Sequence, residues 1–396
     1  MRHLRAWGWP TSAWGLRARF GMGIEASEVP EVSESGRDEI DPQRIIRLLK
    51  RGPVTLRELS NQLDRGEPTI DRILEQMMAL GYGIERTEQQ LALPPVPQVT
   101  SPPPIIRGPA TTIRFGIMSD PHFGSLSEQP TGARHWLEEI YNEGVRHVVV
   151  AGDWVAGQGV YPGQEHEVYV HTAGEQVEAT DARLPRLEGL RYYGIGGNHD
   201  YSFYRLMGQD VVRMLADRRE DVVHLGYDTA DVPLLPGVDA RLWHPRGGPA
   251  YALSYKGQKY VEQLTQDELM KLILGEKVRP TVRFVIIGHF HRAGAFPMGP
   301  IWVIYAGAWE GQTQYAKSKG HVPQIGGWLV ECDLHEGALQ RIKLEWMQYA
   351  ELERDYEHYA IPYAGPVEGQ KLEPLFSLKG SVTEFSGESL PFLKVG

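Results

Sequence analysis

The chain has 396 residues, so two domains are the soft expectation, and its 41% apolar and 23% charged content is ordinary for a globular enzyme. A net charge of −10 argues against a protein that coats nucleic acid nonspecifically, although it leaves room for a local basic face. The single cysteine, Cys332, excludes an intrachain disulfide and fits an intracellular, cytoplasmic location, and no apolar run approaches the ~18 residues of a membrane span.

Residues 1–39 begin rich in arginine and tryptophan, turn acidic and serine-rich, and read as a disordered arm. Residues 40–93 read as a small domain. Asp41-Pro42 opens a first helix with Ile45, Ile46, Leu48 and Leu49 on its apolar face. Thr55-x-x-Glu58 is a capping box for a second helix, and Ile70, Ile73, Leu74, Met77 and Met78 give the buried face of a third. Residues 84–93, with a polar turn at 87–90, predict a hairpin. Three helices and a hairpin resemble a winged helix-turn-helix domain. Its eight basic and eight acidic residues cancel, however, whereas a duplex-reading face should be basic, so DNA binding and protein docking or self-association stand side by side. Seven prolines in 94–110 predict an extended linker that lets the flanking domains move independently.

From 111 to 346 strands and helices alternate, with helices expected over 131–143, 171–182, 203–218 and 257–275. Residues 347–396 read as a less regular C-terminal extension, in which Tyr356, Tyr359 and Tyr363 are candidates to pack on the core. Five apolar runs each end in polar donors: Ser119-Asp120-Pro121-His122, Gly152-Asp153-Trp154, Gly197-Asn198-His199-Asp200, His244-Pro245 and Gly288-His289-Phe290-His291. Donors on loops at several strand ends are how an α/β scaffold gathers one site from distant sequence. Carboxylate, imidazole and amide oxygen without thiol suit Mn²⁺, Fe or Zn²⁺.

The ordered set Asp-x-His, Gly-Asp, Gly-Asn-His-Asp, His, Gly-His-x-His resembles the calcineurin-like metallophosphoesterase superfamily over residues 111–346. The resemblance implies two packed β-sheets flanked by helices and two divalent metal ions, with manganese first and iron or zinc as alternatives. One ion would take Asp120, His122, Asp153 and His291, the other Asp153, Asn198, His244 and His289, with Asp153 bridging. A metal-bound hydroxide would attack phosphorus. His199 would face the phosphate as leaving-group acid or charge stabiliser, and Asp200 would orient it and raise its pKa. Trp154 and Trp309 are candidate substrate contacts, able to stack on a base. The stretches 158–171, with Tyr161, Glu165, His166 and His171, and 306–313 are candidates to shape the pocket.

Ser-Asp-Pro-His-Phe-Gly and Gly-Asn-His-Asp suit the double-strand-break repair nucleases of that superfamily, so a phosphodiesterase acting on nucleic acid leads. A small-molecule or cyclic-nucleotide phosphodiesterase or phosphatase is the second reading. A DNA-binding regulator with a sensor phosphoesterase domain, and a binding protein that has lost catalysis, come from other classes. The complete donor set disfavours the last.

Overall fold

The computed structural model of the chain describes residues 40–96, 101–105, 112–276, 281–335 and 338–358, together with two short strands beyond them. Residues 1–39, Tyr359 and Tyr363 lie outside the described residues.

In chain order the small N-terminal unit holds α1 (Pro42–Leu49), α2 (Leu56–Leu63), α3 (Glu67–Ala79), β1 (Glu85–Arg86) and β2 (Leu91–Ala92). The expected capping box forms: Glu58 N–H donates to Thr55 Oγ1 at 3.1 Å and Thr55 N–H to Glu58 Oε2 at 2.8 Å. Ile45, Ile46, Leu59, Ile70 and Leu74 are fully buried.

The larger part is built on strand β3 (Thr112–Met118). Its Ile113, Phe115 and Ile117 point into one apolar cluster, while Met118 joins another on the opposite face. Next come α4 (Pro130–Asn142), β4 (His147–Val150), α5 (Ala173–Arg183), β5 (Arg191–Gly196), α6 (Asp200–Met207), α7 (Val211–Arg218) and β6 (Val222–Tyr227). Strands β3 to β6 run parallel, as right-handed crossovers through helices require. A helix expected over 203–218 is two helices. Gly208, at φ 72° in the left-handed region, caps α6 and turns the chain into α7.

A second sheet follows, with β7 (Thr229–Leu235), β8 (Val238–Trp243), the long helix α8 (Ser254–Ile273), β9 (Val282–Ile287), β10 (Ala293–Met298) and β11 (Ile301–Ala306) in the order β10-β11-β9-β8-β7. After the short α9 (Gln314–Ser318) the chain returns to the first sheet. There β12 (Gly326–His335) pairs antiparallel with β3, and β13 (Ala338–Tyr349) pairs with β12. The short helix α10 (Asp355–His358) precedes β14 (Ser377–Lys379) and β15 (Thr383–Ser386), which both pair with β13. Tyr356 stacks on Tyr169 with ring centroids 5.1 Å apart.

The two sheets face each other across Phe115, Ile117, Val149 and Ile195 on one side and Val232, Leu242, Phe284 and Ile286 on the other. Phe115 and Phe284 meet edge to face at 5.6 Å. Helices α4, α5 and α7 cover the outer face of the first sheet, and α8 packs on the outer face of the second. This is a mixed α/β fold of two packed sheets flanked by helices.

By contacts, Pro42–Gly396 group as one unit, and the small N-terminal unit is hydrogen-bonded to α6. Gly83 N–H donates to Met207 O at 2.7 Å, Gln43 to Leu206 O at 2.9 Å, Lys50 to Arg205 O at 2.7 Å, and the Tyr204 hydroxyl to Pro94 O at 2.6 Å. Beyond the proline stretch, Ile105 N–H donates to Pro233 O and its side chain enters the core between the sheets. Hydrogen bonds thus hold the two described ends of the proline stretch, at Pro94 and at Ile105.

Candidate metal centre

All five motif loops leave the carboxyl ends of parallel strands: Asp120 and His122 follow β3, Asp153 follows β4, Asn198 follows β5, His244 follows β8, and His289 and His291 follow β9. Side chains from two sheets therefore meet at one end of the sandwich, where open α/β sheets place ligands. The first loops zip together through the backbone. Asp120 N–H donates to Gly152 O at 3.0 Å and His122 N–H to Asp153 O at 3.1 Å.

Backbone strain marks the same place. Eight non-glycine residues among those described have positive φ, and five of them are motif donors: Asp120 at 49°, His122 at 45°, Asp153 at 53°, His289 at 76° and His291 at 51°. Such conformations are costly and collect where geometry is imposed by function. The motif glycines answer a different need, which is space. A Cβ on Gly152 would collide with His244 Nδ1, and one on Gly197 would collide with Asp153 Oδ1.

The donors form three overlapping groups whose ligand atoms lie within 4.8 Å of one another: Asp120, His122 and His291; His122, Asp153 and His199; Asp153, His244 and His289. Asp153 belongs to two groups and reaches His244 Nε2 at 3.1 Å through Oδ2. Asn198 Oδ1 lies 3.2 Å from His244 Nε2. Hydrogen bonds on the far side of the rings set the tautomers. His244 Nδ1–H donates to Ala151 O at 2.7 Å and His289 Nε2–H to Gly247 O at 3.0 Å, which leaves His244 Nε2 and His289 Nδ1 as bare donors. His122 Nε2 and His291 Nε2 approach to 3.1 Å. Imidazole and carboxylate atoms converging on common points, with the outer nitrogens of His244 and His289 anchored, fit divalent cations.

His199 enters the cavity with Nδ1 against Ala156 O at 2.5 Å, and its backbone N–H donates to Asp153 Oδ1 at 2.8 Å. Burial, and then the neighbouring His122, hold its pKa down to about 3, so the ring is neutral at neutral pH. Asp200 does not orient it. Asp200 is fully buried, and its carboxylate accepts from Gly197 N–H at 2.8 Å, Val155 N–H at 3.0 Å and Trp154 N–H at 3.2 Å. The expected raising of the His199 pKa by Asp200 is thus reversed, and Asp200 instead ties the β4 loop to the β5 loop.

The two tryptophans are also corrected. Trp154 and Trp309 are both fully buried. Trp154 Nε1–H donates to Ile195 O at 2.9 Å beneath the site, and Trp309 packs between Trp136 and Tyr349, so neither offers a face to a substrate. Glu165, His166 and His171 project into solvent. The aromatic surface of the site is made by other residues. A cavity of about 640 Å³ opens over the donors, walled by Tyr161 and Tyr315, whose rings stack 4.2 Å apart, and by Tyr201 and Phe290. Arg205, Arg246 and Lys319 add positive charge to this wall. A second cavity of about 360 Å³ shares Arg246 and adds Lys256 and Lys259. From the 306–313 stretch expected to shape the pocket, Glu310 and Thr313 line the main cavity, Glu310 beside His122 and His291.

A family model described as the calcineurin-like phosphoesterase superfamily domain matches residues 113–322. Curated relatives include the DNA polymerase II small subunit of Methanothermobacter thermautotrophicus, 26% identical over 202 residues, which span 46% of this chain and 42% of that protein. The DNA polymerase II small subunit of Archaeoglobus fulgidus is 25% identical over 243 residues, 53% of this chain and 49% of that protein. The chain thus spans less than half the length of either. Similar solved structures include an archaeal phosphodiesterase (17% identity, TM-score 0.32, covering 57% of this chain and 97% of that one). A predicted phosphoesterase from Streptococcus pneumoniae is similar at 15% identity and TM-score 0.31, covering 70% of this chain and 99% of that one. No described helix is long and apolar enough to cross a membrane.

Proposed function

This chain belongs to the calcineurin-like phosphoesterase superfamily, as a metal-dependent phosphoesterase, and from that premise we propose that it hydrolyses phosphodiester bonds in nucleic acid with two divalent ions. The observation that carries the two-ion reading is the place of Asp153 Oδ2, 3.7 Å from His122 Nε2 and 3.1 Å from His244 Nε2, between the imidazoles of two different donor groups. Asp120, His122 and His291 would hold one ion, Asn198, His244 and His289 the other, and Asp153 both. A carboxylate between two dications partly neutralises their repulsion. When bound, the ions supply Lewis-acid charge to the phosphate oxygens and lower the pKa of a bound water; Mn²⁺ is our first choice.

The protein's own part is positioning. Asp200 locks the loops that carry Asp153 and Asn198. The proton on His199 Nδ1 is committed to Ala156 O, so the ring presents its bare Nε2 to the cavity as an acceptor, with no proton ready for a leaving group. Tyr161, Tyr315 and Tyr201 supply aromatic surface to the cavity wall.

Charge favours nucleic acid over a small ester. In a chain of net charge −10, Arg246, Lys256 and Lys259 line a cavity that adjoins the main one, with Asp228 as its one acid. Arg246 pairs with Asp228 at 3.1 Å, whereas no carboxylate pairs with Lys256 or Lys259 among the described residues. A polyanion passing over Arg246 would meet both lysines. One observation favours the second reading, a small-molecule or cyclic-nucleotide phosphodiesterase: the main cavity is walled and sized for a single nucleotide. In residues 40–93 the exposed face of α3 carries Glu67, Arg72 and Glu75, which suits protein docking better than reading a duplex.

The test is a side-by-side assay of the Mn²⁺-loaded protein on a phosphomonoester, an aryl phosphodiester, cyclic nucleotides, and single- and double-stranded DNA. DNA cleavage abolished by chelation, with a Lys256→Ala/Lys259→Ala variant losing far more rate on DNA than on the aryl ester, is the expected result. Turnover of cyclic nucleotides or monoesters with DNA untouched overturns the nucleic-acid reading.

A further inference from the structure

Beyond the motif donors, one more acid points at the ions' position. Glu310 lies in the loop after β11, and its backbone is held on both sides. It bridges to Glu128, the next residue's N–H donates to Ser127 O at 2.8 Å, and Gln312 N–H donates to Glu351 Oε1 at 2.9 Å. Its side chain is 9% exposed. Among the described residues no hydrogen bond reaches its carboxylate. The hydroxyl of the nearby Tyr161 donates instead to Glu167 at 2.7 Å. What Glu310 Oε2 faces is His122 Nε2 at 3.9 Å and His291 Nδ1 at 4.0 Å. A largely buried carboxylate that makes no hydrogen bond and faces two imidazoles of the donor set at 3.9 and 4.0 Å has room for a cation between them.

We propose that this cation is a metal ion, and that Glu310 is a further ligand to the ion held by Asp120, His122 and His291. The proposal rests on the two-ion reading above. Donor bonds of about 2.0–2.2 Å put two ligands of one ion no more than about 4.4 Å apart. Measured from His122 Nε2, His291 Nε2 lies at 3.1 Å, Asp153 Oδ2 at 3.7 Å, Asp120 Oδ1 at 3.8 Å and Glu310 Oε2 at 3.9 Å. Measured from His122 alone, Glu310 falls within that limit; it stands at the rim of the Asp120, His122 and His291 group and would have to close toward them to ligate. The alternative, a hydrogen bond that only steadies the His291 ring, is not made at 4.0 Å.

The consequence is an asymmetric pair of ions. The first would have three carboxylates and two imidazoles, a crowded, oxygen-rich set that suits six-coordinate Mn²⁺ or Fe²⁺ over four-coordinate Zn²⁺. The second, with Asp153, Asn198, His244 and His289, keeps positions free for a phosphate oxygen.

Glu310→Gln keeps the shape and removes the charge. Metal-free protein is titrated with Mn²⁺ and with Zn²⁺ by equilibrium dialysis with elemental analysis, and the Mn²⁺ form is followed by electron paramagnetic resonance. The wild type should bind two Mn²⁺ per chain. The variant should bind one of the two at least 10- to 100-fold more weakly, the second unchanged, and should lose less affinity for Zn²⁺. Two Mn²⁺ bound as tightly as in the wild type overturns the proposal, and so does a lower melting point of the metal-free variant with metal affinity intact, which would mark Glu310 as structural. A wild type that binds no divalent ion defeats the two-ion reading itself, a distinct outcome.

Discussion

Replacing Asp200 separates a structural role from a chemical one. Its two oxygens satisfy three buried backbone donors, with Oδ2 accepting from Gly197 and Trp154 and Oδ1 from Val155. Asp200→Asn can keep its amide oxygen where Oδ2 sits, but its NH₂ then faces the Val155 N–H. One charge-assisted bond is lost and a donor is left unpaired, at about 1.5–3 kcal/mol. For a domain of this size that is a fall of roughly 3–12 °C in Tm. Asp200→Ala strands all three donors, at about 1–3 kcal/mol each, which is comparable with the whole stability of a typical domain. Because Trp154 and Gly197 neighbour Asp153 and Asn198, Asp200→Asn should also weaken metal binding. The assay is thermal unfolding of metal-free protein beside metal content and turnover. A variant with unchanged Tm and metal content but no turnover would refute this reasoning and return Asp200 to the chemistry.

Three other outcomes are expected. Asp153→Asn should lower the content of both ions in elemental analysis, and near-normal metal and rate, with Asp120→Asn inactive, would show that the bridge is misassigned. His199→Ala should leave metal stoichiometry intact and lower turnover by roughly 10²- to 10⁴-fold. With its pKa down at about 3 and its one proton on Nδ1 held by Ala156 O, the ring has none to give a leaving group, so the loss should be equal on an aryl phosphodiester and on DNA, and a much larger loss on DNA would mean that substrate binding protonates it. Gly208→Ala should loosen residues 40–93 from α6, because its φ of 72° disfavours a side chain and a Cβ would sit 2.8 Å from both Gly83 O and Leu93 Cδ2. Hydrogen exchange over 40–93 unchanged from wild type would show that this contact holds nothing.

What could be read from the chain, and what could not, divides along physical lines. The donors were legible because the chemistry prescribes their types and strand ends prescribe their spacing. Sequence does not say which way the next side chain turns. At φ 53° the backbone of Asp153 aims its carboxylate at the centre, and that same turn sends Trp154 back under Ile195, so a ligand's neighbour becomes core. Strands β7 and β10 are the edges of the second sheet. They carry Pro233 and Pro297, which edges tolerate and central strands do not, so their composition reads as loop. The docking of residues 40–93 depends on two glycines, Gly83 and Gly208, far apart in sequence, each recognisable alone only as a turn. Glu310 had no signal beyond its place after a strand, since a single acid in a loop is commonplace. Its meaning comes from burial without a hydrogen-bond donor, which only the packed structure supplies. The same asymmetry explains why the family was readable and the substrate is harder. Motifs encode the atoms that hold metal, whereas Tyr161, Tyr315, Arg246, Lys256 and Lys259 come from separate loops and helices α8 and α9 and converge only once both sheets are in place.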